Sequence, residues 1–383
     1  MIQVVPVTSR KLRKQFIEFP YELHKNDPHW IPPLRIERNE MINPKKNPFF
    51  QNAEAELFIA FKNGEPLDKA RGKPVGRISV QINRLHNERY GEKTGHFGFF
   101  DSIDNPNVAR ALLSQAEGWL KERGMEKICG PMSFSINEEV GILVDGFDSP
   151  PFPLMPHNPP YYDKLISAEG FVKVKELLAW KYESRLEVPE AARQISEAVR
   201  GYPGLVIREM NLKKMEDEIR IVSDVFNSAW SKNWGFIPWT EAEIKKGAKD
   251  LKMVLDPKIA LIAEVNGVPA AIAITIPNYH EAIRDLNGRL FPLGIFKLLY
   301  RLKRRKIKSG RVALLGIKKE FRGDVLGGLV FLLYVEMRRR GLELGYWGGE
   351  LSWTLEDNEK INQGISFMGA EIYKRYRVYE KML

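Results

Sequence analysis

The sequence predicts a mixed α/β protein built from two similar domains, and three observations lead there. The chain has 383 residues, more than a single core of roughly 150 residues organises. Its 44% apolar and 28% charged residues are ordinary globular composition and exclude a disordered chain. Strand patterns, turn glycines and amphipathic helices then recur in the same order in each half.

The recurrence begins with Leu57–Asn63–Gly64 and Leu261–Asn266–Gly267, where an apolar strand runs into Asn-Gly, a strong hairpin signal. Second strands follow at 75–80 and 268–276. A strand at 97–102 leads to a helix capped by Asp104-Asn105-Pro106, and the strand 312–317 leads to a helix in the second half. Arg123-Gly124-Met125-Glu126 and Arg340-Gly341-Leu342-Glu343 are read as helix ends, each with glycine at the C′ position. Short strands follow at 127–129 and 346–351, then helices ending at Gly170 and Gly369, then last strands rich in Lys, Tyr and Val. Domains at 1–185 and 200–383 are expected, joined by a linker at 185–202. The first carries a long loop at 130–160, the second an insertion at 278–310.

A lone cysteine, Cys129, cannot form an intramolecular disulfide, and no CxxC pair offers a zinc site. The start, MIQVVPVTSRKLRKQF, has no apolar leader core, and no run reaches the roughly 18 apolar residues of a membrane span. A cytoplasmic protein without a metal is expected.

From 259 onward the order is hairpin, strand, turn, helix, strand, helix, strand. With the turn Glu320-Phe-Arg322-Gly323-Asp-Val325-Leu-Gly327-Gly328, it resembles a GNAT-type acyltransferase domain. The resemblance implies a coenzyme A pyrophosphate loop at that turn. Arg322, Gly323, Gly327 and Gly328, with Ile317 before them and Asn358 at the last helix, would be the coenzyme residues. Glycines let backbone N–H groups approach phosphate, and a helix N-terminus adds partial positive charge. Val325 replaces the family's central glycine, and Ile365 stands where a tyrosine acid is usual.

The first half departs further, and tandem pairs with degenerate copies resemble the peptidoglycan aminoacyl-transferase architecture. Asp27-Pro-His-Trp30-Ile-Pro-Pro33, Asn47-Pro48-Phe49-Phe50, Val75-Gly76-Arg77, Gly130-Pro131, Gly146-Phe147-Asp148 and Asn158-Pro-Pro-Tyr161-Tyr162 extend the likeness over most of the chain. They resemble a bacterial group of tandem GNAT-like proteins similar to the bacterial ceramide synthases, which acylate a sphingoid amine. The resemblance implies an acyl-CoA (or acyl carrier protein) donor and a lipid amine acceptor. A small-molecule or peptide acetyltransferase and an inactive membrane-binding scaffold are the rival readings.

Amide formation from a thioester needs a base, donors for the oxyanion, and placement of carbonyl beside nitrogen. No Ser-His-Asp elbow, HExxH, Walker loop or GxGxxG is present, so direct attack fits better than a covalent intermediate. Base candidates in the long loop are Glu138, Glu139, Asp145, Asp148 and His157, followed by Tyr161 and Tyr162. His157 titrates near neutrality; alternatively it caps the helix entering at Asn158, itself read as a cap. The second half offers Glu350, at a strand end, and Glu320. The aromatic stretch with Trp230, Trp234, Phe236 and Trp239 reads either as core or as an apolar acceptor wall.

The formal charge of +10 has a location. From Arg289 to Arg311 there are nine basic residues and no acidic one, leaving 50 basic against 49 acidic elsewhere. Ile295, Phe296, Leu298, Leu299 and Leu302 fall at helical spacing among Arg301, Lys303, Arg304 and Arg305. A one-sign polar face gains no i,i+4 pairing. A helix lying on the cytoplasmic face of the inner membrane, with Phe296, Leu299, Arg301, Arg304 and Arg305 in contact, is expected. An acidic carrier protein is the other partner such a face fits; nucleic acid is not, since no reading module accompanies it.

Overall fold

A computed structural model describes residues 2–62, 72–304 and 306–383, the side chains of Lys303 and Asp324 excepted. The Asn63-Gly64 turn and Arg305 lie outside the described residues.

In chain order the first repeat comprises β1 (Ile2–Pro6), α1 (Arg10–Leu23), α2 (Arg35–Met41), β2 (Ala53–Lys62), β3 (Pro74–Asn83), α3 (Arg84–Tyr90), β4 (Thr94–Ser102), α4 (Pro106–Lys121), β5 (Lys127–Gly130), β6 (Ile142–Asp145), α5 (Tyr161–Ser167) and β7 (Val172–Glu183). The chain then forms α6 (Glu190–Arg200) within the segment expected as a linker. The second repeat comprises β8 (Leu205–Glu209), α7 (Met215–Trp230), α8 (Glu241–Leu251), β9 (Ala260–Val265), β10 (Val268–Pro277), α9 (His280–Ile283), α10 (Gly294–Lys303), β11 (Ser309–Ile317), α11 (Leu329–Glu343), β12 (Gly348–Leu355), α12 (Glu359–Phe367) and β13 (Glu371–Met382). Without α3, β6 and the insertion helices, the two orders coincide.

The chain divides into two compact units, one made of 1–177, 284–291 and 374–383, the other of 178–283 and 292–373. In the first unit the strands run β1-β2-β3-β4-β5-β13, with β6 also on β13. In the second they run from the end of β7 through β12-β11-β10-β9-β8. Each repeat thus completes its sheet with the last strand of the other. Tyr379 lies opposite Gly130 of β5, and Trp180 Nε1 donates to Thr354 Oγ1 of β12 at 2.9 Å.

Local chemistry explains the elements. Asn266 (φ 52°) and Gly267 (φ 78°) both sit at positive φ between β9 and β10, the primed turn that Asn-Gly favours. Asn105 caps α4 by accepting from Asn107 N at 2.9 Å, with Pro106 in the first turn. Helices cover both faces of the second unit's sheet. Ile219, Val222 and Val225 of α7 meet Ile262, Ile272 and Ile274 on one face. Leu329, Leu332 and Leu333 of α11 meet Leu261, Ala273 and Ile317 on the other.

Two sequence readings are corrected. Gly341 does not stop α11, which continues to Glu343; the left-handed residue is Gly345 (φ 78°). Gly345 sits just past the cap, where lack of a Cβ matters. Asn158 caps no helix: its Oδ1 accepts from Leu143 N at 2.7 Å and its Nδ2 donates to Leu143 O at 3.1 Å. The side chain acts as a strand partner for β6, while α5 begins after Pro160.

Candidate active site

The parallel pair β11–β12 is in register only from Ser309↔Gly348 to Val312↔Leu351, although β11 continues to Ile317 and β12 to Leu355. Beyond that rung the strands diverge into a wedge. At the same place the β10–β11 ladder jumps from Thr275↔Val312 to Ile274↔Leu314, so Ala313 is the extra residue of a β-bulge. Bulges re-aim backbone groups and recur beside active sites. Backbone amides freed from one ladder at the mouth of a wedge are suited to a developing oxyanion.

Glu350 belongs to the last-but-one rung, opposite Arg311. It is fully buried. Ser352 Oγ donates to its Oε1 and Tyr373 OH donates to its Oε2. The Arg311 Nε stands 3.8 Å from the carboxylate and donates to Ser352 Oγ at 2.7 Å, while its Nη2 donates to Ser352 O at 3.1 Å. A buried carboxylate is tolerated only with such partners. The group is a prepaired acid–hydroxyl cluster able to pass a proton between Tyr373 and Glu350. Sequence reasoning named Glu350 and missed Arg311, Ser352 and Tyr373; strand alternation between 350 and 352 was the available signal.

Other second-half candidates scatter around this wedge. Trp230 lies over the diverged part of β11, where a Cβ on Gly316 would come within 2.3 Å of its ring. Phe226 gathers Trp230, Phe236 and Trp239 at centroid distances of 5.1, 5.3 and 4.9 Å; Phe236 is buried, and Trp230, Trp234 and Trp239 are half-buried, Trp230 and Trp239 packing against the core. Arg322 folds back, donating to Ile317 O at 2.9 Å and Ala229 O at 3.0 Å. Gly328 is a packing glycine: a Cβ would meet Ile195 Cγ2 of α6 at 2.5 Å. Gly323 and Gly327 are exposed. The first turn of α11 has no acidic residue and no side-chain cap; a 3-10 turn over Asp324–Gly328 runs straight into it and Leu329 N–H donates to Leu326 O, so the helix offers an anion its partial positive charge rather than its first amide. Asn358 stands at the N-cap of α12, and Glu320 is exposed.

In the first unit β4 and β5 also part, after His96↔Cys129, but that wedge is filled. Met132 N donates to Phe97 O at 2.7 Å, and a Cβ on Gly98 would come within 1.9 Å of Met132 O. The long loop therefore plugs the first repeat's own cleft.

Beside that plug is a buried network. His157 Nε2 lies 2.9 Å from Asp27 Oδ2, and its buried Nδ1 has no protein partner. Burial lowers its pKa, opposed by Asp27, so the imidazole is neutral near pH 7. Asp101 accepts from Arg77 Nε at 2.7 Å and Tyr162 OH at 3.0 Å, and pairs with His24 Nε2 at 3.1 Å. Burial opposes its ionisation, yet Arg77 and His24 hold its pKa well below the usual 3.8. The signal for Asp27 and Arg77 lay in their motifs. Tyr161 donates to Ser102 O at 2.8 Å and is pushed up to about 12 by burial and by Asp104 and Asp101, a packing role. Glu138 is half-buried; Asp145 is an exposed strand-end carboxylate 4.0 Å from Arg375.

No family model matches the chain. Two curated proteins do. It is 40% identical over 385 residues to the bacterial ceramide synthase of Caulobacter vibrioides, covering 100% of this chain and 98% of that one. The chain belongs to the bacterial ceramide synthase family. It is also 42% identical to Protein YghO of Escherichia coli, covering 97% and 93%. Among solved structures it resembles a tandem GNAT protein from the clavulanic acid biosynthesis pathway, with a TM-score of 0.59 at 12% identity over 100% and 98% of the chains. A probable N-acyltransferase from Enterococcus faecalis gives 0.51 at 8% identity, over 100% and 73%. These likenesses show the tandem GNAT fold, and together with the ceramide synthase relative they mark this chain as a GNAT-type N-acyltransferase. No helix among the described residues is long and apolar enough to cross a membrane.

Proposed function

We propose that the protein transfers the acyl group of a coenzyme A thioester to a lipid amine, of sphingoid type, at a membrane surface. The observation carrying this reading is the contrast between the open β11–β12 wedge and the plugged wedge of the first repeat. It supports the second unit as the donor site, with the thioester carbonyl against the bulge at Ala313 and the pyrophosphate near the positive end of α11.

The acceptor arrives as an ammonium ion. Its proton passes to the Tyr373 oxygen as the Tyr373 proton passes to Glu350. The amine then attacks the carbonyl carbon, forming the C–N bond, and the bulge amides take the oxyanion. Collapse breaks the C–S bond: as the nitrogen gives its second proton to the Tyr373 oxygen, Tyr373 gives its own to the leaving thiolate, which departs as coenzyme A, and Glu350 afterwards gives up the first proton. One proton is released overall. Arg311 and Ser352 keep Glu350 aligned for the first transfer.

A membrane location is supported by α10. Ile295, Leu298 and Leu302 pack half-buried, while Leu293 (69% exposed), Phe296 (66%) and Leu299 (55%) face outward beside Tyr300. Arg301 donates to Ala282 O at 2.6 Å and Arg304 stands over Tyr300. Exposed apolar side chains flanked by cations match an interfacial helix.

The test is conversion of palmitoyl-CoA and sphinganine to an amide by purified protein, followed by mass spectrometry. Amide formation by the wild type, reduced in Glu350→Gln, is expected. Acetyl transfer to soluble amines with no lipid product would overturn the lipid reading.

A further inference from the structure

The second unit contains a narrow cavity of about 70 Å³ between the β11–β12 ladder and helices α11 and α12. Its walls are mainly apolar, with Val312, Tyr334, Met337, Leu351 and Ile365 among them, and Thr275, Arg338 and Glu350 also line it. It adjoins Val312 and Leu351, the rung where the wedge opens, and continues past Gly348, about 10 Å back along the strand at roughly 3.3 Å per residue.

Close packing normally fills such a space. One wall of this one is Gly341, inside α11, which places no side chain in it. Glycine there is less favourable to a helix than alanine, and nothing in the packing demands it. A Cβ would meet only Tyr346 Cβ, at 3.9 Å. The positions that truly cannot carry a Cβ, such as Gly349 with Gly310 O at 1.9 Å, are explained by backbone contact; Gly341 is not.

We infer that this slot receives the acyl chain of the donor, entering at the wedge, and that Gly341 sets how much chain it admits. The inference rests on the acyl-CoA reading above and adds where the chain lies and what measures it. At roughly 10–15 Å³ per water-sized group the cavity has room for a file of several methylenes. It has no room for a headgroup, and its walls offer an acyl tail more than an acetyl group could use.

The experiment compares wild type, Gly341→Ala and Gly341→Leu with acetyl-, hexanoyl- and palmitoyl-CoA donors, measuring kcat/KM and donor affinity by calorimetry. Circular dichroism checks the fold. Gly341→Leu is expected to lower the palmitoyl-to-acetyl ratio about four-fold per methylene displaced, and ten-fold or more in all. Gly341→Ala should give a smaller shift in the same direction. Affinity for the palmitoyl donor should fall with the rate. A folded Gly341→Leu protein with unchanged chain-length ratio and affinity would overturn the slot while leaving the acyltransferase reading intact. Wild-type protein that neither binds nor uses any of the three donors would overturn that reading and the slot with it.

Discussion

Replacing Asp101 by Asn is expected to destabilise the first unit strongly, and the size follows from its partners. The carboxylate is nearly inaccessible and receives Arg77, Tyr162 and His24 together. An amide in its place can accept from Arg77 through one oxygen, but its NH2 group then faces Tyr162 or His24 donors. The Arg77 charge, itself buried, loses its counter-ion and keeps only neutral acceptors, that amide oxygen and the Phe16 carbonyl at 2.7 Å. Breaking a buried pair from one side costs about 3–5 kcal/mol. At about 2–4 °C per kcal/mol for a domain of this size, the melting temperature should fall by roughly 6–20 °C. Tyr162→Phe, which removes one neutral donor to Asp101 and the acceptor of Ser102 N–H at 3.1 Å, should cost about 1–3 kcal/mol. Differential scanning calorimetry with urea titration at neutral pH reads both. The folded pKa of Asp101 is depressed, so its contribution is present above the unfolded value of 3.8 and is lost as pH falls below it. The acid limb should therefore be shallower in Asp101→Asn. A variant within 1 kcal/mol of wild type would refute the reasoning.

Burial lowers the pKa values of His86, His96 and His157. Below their ordinary value of 6.5 the unfolded chain binds more protons than the folded one, so stability should fall from pH 7.5 to 5.5. Each histidine contributes at most about 1.4 kcal/mol per pH unit, and a flat urea midpoint across that range would contradict the burial argument. Glu350→Gln should lower kcat by about 10²–10⁴-fold, and Tyr373→Phe should also lower kcat, both with the fold intact; unchanged turnover in both would remove them from the proton path. Substituting Phe296 and Leu299 by Ser should weaken sedimentation with anionic phosphatidylglycerol vesicles at least ten-fold, with neutral vesicles bound poorly throughout. Equal binding by variant and wild type would exclude α10 as the contact.

Features governed by neighbouring residues were legible in the sequence. Asn266-Gly267, the Asn105-Pro106 cap, β11 and the amphipathic α10 each declare themselves within a few positions. Gly341 was misread because a glycine near a helix end has two meanings, a left-handed stop or an empty wall. Only the position of Gly345 and the slot beside α11 separate them. The exchange of last strands was invisible because β7 and β13 have similar composition and either could complete either sheet. The same limit applies to the sites. Glu350 could be named as a strand-end carboxylate, but its partners Arg311 and Tyr373 are 39 and 23 residues away, and only the β11–β12 register and the course of β13 bring them together. His157 was visible as a titratable group; that Asp27, 130 residues earlier, orients it was not.

The donor wedge is tested most directly by a crystal structure with a non-hydrolysable palmitoyl-CoA analogue. The expected result is a carbonyl within hydrogen-bonding distance of the backbone amides at Ala313–Leu314, pyrophosphate at the start of α11 and the acyl chain beneath Gly341. Coenzyme bound elsewhere, with the β11–β12 wedge empty, would contradict the account.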